Sequence, residues 1–60
     1  MYQIITSNPE LIAALCDNGI NIICDEKMRM VMDREDALKV LHLVKAVAPA
    51  AIHDYVIVNA

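Results

Sequence analysis

Two apolar runs that alternate at every second residue, Ile20-Asn21-Ile22-Ile23-Cys24 and Met28-Arg29-Met30-Val31-Met32, stand on either side of the charged triplet Asp25-Glu26-Lys27. Alternation of this kind places every second side chain on one face of a strand, and a polar triplet between two such runs predicts a hairpin. With the pairing centred on Glu26, Cys24 lies opposite Met28, Ile22 opposite Met30 and Ile20 opposite Met32. All six apolar side chains then share a face, and a slip of one residue would destroy the match. A hairpin with such a face needs something to cover it.

The flanking sequence supplies the cover. Tyr2 to Thr6 is rich in β-formers and runs into Ser7-Asn8-Pro9-Glu10, which has a capping oxygen, a proline suited to a first helical turn and a glutamate three residues after Ser7. Leu11, Ile12, Leu15 and Cys16 follow at helical spacing until Asp17-Asn18-Gly19, where the only glycine of the chain offers a left-handed C-terminal cap. Asp33 caps a second helix, with Glu35 and Asp36 at its positive end and Lys45 near its negative end. That helix runs to about Ala48, because Pro49 disfavours helical geometry in the residue before it. Tyr55 to Val58 forms a last strand.

The order is β-α-β-β-α-β within a single α+β domain spanning residues 1–60. Short connections and right-handed crossovers favour the split βαβ, or ferredoxin-like, two-layer arrangement. It has a four-stranded antiparallel sheet, with the first and third strands central, and two helices on one face. Many unrelated functions share this architecture, so it supplies no activity by itself.

Composition removes several function classes. The chain is 58% hydrophobic, which is too apolar for disorder, and no uncharged run, Ala46 to Ile52 included, is long enough to span a bilayer. A net charge of −3 with five basic residues provides no phosphate-neutralising patch for nucleic acid and no basic amphipathic face for a membrane. Cys16 and Cys24 are too few for a disulfide scaffold. The expectation is a soluble, cytoplasmic protein with reduced thiols.

Candidate chemistry is thin. Met28, Met30 and Met32 could offer thioethers to Cu(I), but same-face neighbours on a strand stand about 6.6 Å apart, and a core face explains them better. Cys16, Cys24, His42 and His53 lack metal-ligand spacing, and the cysteines are expected as small buried hydrophobes. His42 falls on the polar side of the second helix, and His53-Asp54 belongs to a loop. Asp33, Glu35 and Asp36 are explained by the start of that helix. One glycine cannot build a phosphate loop or a nucleophile elbow. No catalytic residue, cofactor or metal is expected, and the chain is not expected to be an enzyme.

The informative feature is surplus apolar surface. If helices cover one side of the sheet, the other still carries Ile5 or Ile4, Ile23, Val31, and either Ile57 or the Val56/Val58 pair, diluted by Gln3, Asn21 and Arg29. At about 100° per residue the buried stripe of the second helix is Ala37, Val40, Leu41, Val44, Val47 and Ala48. Leu38 and Leu43 then fall among charged neighbours. Ile5, Ile23, Val31, Ile57, Leu38 and Leu43 are therefore the expected interaction surface, with acidic or basic substitution at Ile23 and Val31 expected to disrupt it. The partners expected are a second copy of the chain and another protein, with neither nucleic acid nor membrane. The function expected is a small interaction or regulatory module. The alternative is a regulatory domain that binds a small ligand at the seam of the dimer. Size and compactness would also suit an accessory protein of a phage or mobile element, though no motif points there.

Overall fold

The computed structural model describes residues 1–60. Strand β1 spans Tyr2–Thr6, helix α1 Pro9–Asp17, β2 Ile23–Cys24, β3 Met30–Met32, helix α2 Arg34–Val47 and β4 Tyr55–Asn59, with a 3-10 turn at Pro49–Ala51 before β4. The strands form one antiparallel sheet in the order β2-β3-β1-β4, so β1 and β3 are central. This is a two-layer α+β mini-domain, compatible with the split βαβ arrangement.

The two faces of the sheet are told apart by alternation. Ile4 and Met32 point toward the helices and join Leu11, Leu15, Ile20, Ala37, Val40, Val44 and Ala51 in one core cluster, against which Tyr2, Met30, Tyr55 and Ile57 pack. Their neighbours along the strands, Ile5, Val56 and Val58, face away and are exposed.

Helix α1 begins one residue later than the serine cap predicts. The cap is Asn8, whose side-chain oxygen accepts from the Glu10 amide at 3.1 Å. Thr6 makes Ser7 unnecessary: its hydroxyl accepts from the Asn8 amide at 3.1 Å and donates to the Asp54 carbonyl at 2.7 Å, tying the end of β1 to the loop before β4. At the other end, Ile20 N–H donates to the Leu15 carbonyl at 3.0 Å and Gly19 N–H to the Cys16 carbonyl at 3.1 Å. This paired pattern is a Schellman cap, and it needs the left-handed conformation that Gly19 adopts at φ 88°. Its accompanying apolar contact is Leu15 with Ile20, both core residues. Asp33 caps α2 as expected, accepting from the Asp36 amide at 3.0 Å.

The hairpin register differs from the expected one. Cys24 pairs with Met30 and Ile23 with Val31, a displacement that keeps the same faces but lengthens the loop. The cause is Met28. Asp25 N–H donates to the Arg29 carbonyl at 2.9 Å and Met28 N–H to the Asp25 carbonyl at 3.0 Å, so Glu26, Lys27 and Met28 form a three-residue loop closed by a left-handed residue, Met28 at φ 60°. Met28 is 84% exposed and takes no part in the core. The regular strands shorten accordingly. Ile20 and Ile22 still turn toward the core from outside β2.

The two left-handed positions give opposite expectations. A β-carbon added at Gly19 meets nothing within 4 Å, so Gly19→Ala should cost only the backbone penalty, about 1–2 kcal/mol. Met28→Gly relieves that same penalty, offset in part by unfolded-chain entropy, and should stabilise by roughly 0.5–1 kcal/mol. Thermal unfolding of both variants beside the parent checks the signs, with a shift of about 4–8 °C per kcal/mol for a domain this small.

Candidate functional site

Three regions could carry function: the hairpin tip, the sheet face away from the helices, and a groove between α2 and β4.

At the hairpin, Asp25 Oδ1 accepts from the backbone N–H of Arg29 at 2.8 Å and of Lys27 at 3.0 Å, while Oδ2 accepts from Arg29 Nε at 2.8 Å. The backbone bond from Arg29 is the main reason its carboxyl is held below the usual 3.8; partial desolvation opposes this, and the Arg29 guanidinium and the Lys27 amide add to it. Both oxygens are engaged by the turn itself, Oδ1 twice and Oδ2 once. The group is a structural clamp that ties Lys27 and Arg29 to the start of the loop.

The remaining candidate residues do not converge. No three His, Cys, Asp or Glu side chains come together as a metal site. Cys16 and Cys24 are free and exposed, against the expectation of burial, because Cys16 sits in the last turn of α1 and Cys24 on the two-residue edge strand β2. His42 and His53 are both exposed. The three methionines are separated by environment, with Met28 in solvent, Met30 half-buried and Met32 in the core. No helix is long and apolar enough to cross a membrane.

The helix-free sheet face is built by register. Ile23, Val31, Gln3 and Val58 lie side by side across the four strands, and Ile5 and Val56 form the next row. Val31, flanked on both sides, is only 2% exposed and is the one buried side chain outside the core cluster. Ile5, Ile23, Val56 and Val58 remain open to solvent. Ile57 turns to the opposite face, so the Val56/Val58 pair completes this surface. Arg29, two residues before Val31, projects on the same side, and its bond to Asp25 leaves a neutralised pair at the border of the patch.

Helix α2 sits differently from the expected stripe. Ala37, Val40 and Val44 are buried, while Leu41 and Val47 are exposed. Leu43 is half-buried and lines the seam with Leu11, Ala14 and Leu15 of α1, so it supports packing and offers no free surface. The flank of α2 that carries Leu43 meets α1, and the flank that carries Leu38 and Leu41 faces β4. Between them and β4 opens a groove of about 770 Å³ lined by Leu38, Leu41, Ile52, Tyr55, Ile57 and Asn59, with Arg34 and Lys45 its only charged lining residues. Burial raises the Tyr55 phenol above its usual 10.0, so it is a neutral hydrogen-bonding group there at physiological pH. The groove escaped the sequence reading, although Leu38, Leu41 and Lys45 at i, i+3 and i+7 mark one stripe of the helix.

Comparison with protein-family models, curated proteins and solved structures returned no match. The functional reading rests on these surfaces alone.

The Asp25 clamp carries a pH dependence. Its carboxyl is depressed in the folded state, so the stabilisation it gives is complete above the unfolded value near 3.8 and is lost as pH falls through the lower folded value. A carboxyl-carbon NMR titration should place the Asp25 midpoint below 3.8. Asp25→Asn should remove that acid-range loss and weaken protection of the Lys27 and Arg29 amides at neutral pH.

Proposed function

We propose that this chain works as a small interaction module, binding through its surface rather than by catalysis, and that its helix-free sheet face joins two copies. The single observation behind the reading is the apolar patch that the exposed Ile5, Ile23, Val56 and Val58 form around Gln3 and the buried Val31. A patch of this kind on a small monomer is an association or aggregation site unless it is covered. A second copy is the occupant that best fits its charge: Gln3 is the polar group within the patch, and Asp25 and Arg29 at the border already neutralise one another. Two copies would meet there without like-charge repulsion. The reading takes the protein to be cytoplasmic, since two cysteines are too few for the disulfide scaffold of a small secreted domain.

The dimensions set the expected strength. A body of 30 × 22 × 19 Å offers about 600 Å² per copy on its broad face, at the small end of specific interfaces. Association should therefore be concentration-dependent. Light scattering after size exclusion, over a dilution series with reductant, should show dimer giving way to monomer. Ile23→Asp with Val56→Asp should give a folded monomer at every concentration, since both side chains are exposed in the single copy. Val31 is no longer the right position to test, because its burial within the copy would confuse unfolding with dissociation. A parent chain monomeric at millimolar concentration, or a double variant that still dimerises, would defeat the proposal.

A further inference from the structure

The groove differs from the sheet face in charge and in backbone chemistry, and it takes a different occupant. Strand β4 is an edge of the sheet. Its register with β1, together with the Ala60 N–H bond to the Met1 carbonyl at 3.2 Å, sets which residues exchange hydrogen bonds. In an antiparallel pair those residues alternate, so Gln3/Val58 and Ile5/Val56 are the bonded pairs. The N–H and C=O groups of Tyr55, Ile57 and Asn59 consequently turn outward along the free edge. The side chains of the same three residues line the groove. Unlike most natural edges, this one has no lysine, proline or charged side chain in Tyr55–Asn59 to discourage pairing.

We infer that β4 and the groove beside it bind an extended segment of another protein, one with apolar side chains at alternate positions and a carboxylate toward each end. An added strand would hydrogen-bond to the three outward residues while every second side chain entered the groove against Leu38, Leu41 and Ile57. The charge sets the ends. Arg34 and Lys45 stand in the first and last turns of α2, about 16 Å apart along its axis, which matches the roughly 17 Å length of a five-residue strand. Neither belongs to an ion pair, and no acidic residue lines the groove, although the chain as a whole carries −3. A second copy pairing there through β4 would bring two more cations to the same site. The inference stands independently of the sheet-face dimer, which uses the other side of the sheet.

The test uses the full chain and a synthetic peptide with leucines at alternate positions, threonines between them and a glutamate at each end. Saturable binding is expected by calorimetry, with slowed hydrogen exchange at the Tyr55, Ile57 and Asn59 amides. A matched peptide with lysine at each end should bind at least ~10-fold more weakly, and Arg34→Glu with Lys45→Glu should reverse that preference. Leu38→Asp, at an exposed position, should weaken binding at least ~10-fold while circular dichroism and the dimer equilibrium stay unchanged. Equal affinity for the two peptides would overturn the inference. So would the absence of any effect at those three amides under saturating peptide, or protection of them in the free chain that grows with protein concentration, which would mean that a second copy occupies the edge.

Discussion

Burial of Ile4 and Met32, on the two central strands, beneath Val40 and Val44 of α2 is the interaction on which the other elements depend. These four are the most completely enclosed side chains, and a chain of this size can bury only about 60% of the surface its unfolded form exposes. Helix α1 reaches this centre through Leu11 and Leu15, and the Gly19 cap returns Ile20 to it within two residues. The edge strands contribute less: β2 is two exposed residues, and β4 is held by β1, by Ile57 and by the Thr6 hydroxyl on Asp54. Little apolar material is left to seal the far side of the sheet or the flank of α2.

How much of this was legible follows from how local each feature is. The element order and the Gly19 and Asp33 caps depend on residues within a few positions of one another, whereas which of Ile4 and Ile5 meets the core is set by the sheet as a whole. The displaced hairpin register did not show, because it turns on a methionine in a left-handed conformation usually taken by glycine or asparagine. The face of α2 was misjudged for another reason. Leu38, Leu41 and Leu43 lie around the flanks of the Val40/Val44 stripe, and helical periodicity alone cannot say which flank meets α1. That depends on where the helix lies over the sheet. The groove, and the change in role of Leu43 and Ile57, come from this tertiary placement.

The two open surfaces are opposed in character as well as in position. On the sheet face, the nearby charges of Asp25 and Arg29 are consumed by the turn that shapes the hairpin, so the patch is neutral at its border. Along the groove, Arg34 and Lys45 are kept apart by the length of α2 and have no acidic neighbour in the lining. Neutral surfaces tolerate their own image, whereas a surface of one sign selects the opposite sign. The proposed self-association and the proposed partner binding would therefore not compete, although the chain has only sixty residues.

The methionines of the hairpin also form a graded series of thioethers, from Met28 in solvent through half-buried Met30 to Met32 sealed in the core. Peroxide converts a thioether to a polar sulfoxide only where it can reach the sulfur. Met28 would accept the added oxygen at the loop tip without disturbing any packing. Met32 could be reached only when α2 lifts from the sheet, and its sulfoxide could not be repacked beneath Val40. One hairpin thus contains both a harmless oxidant sink and a slow chemical clock for the opening of the core.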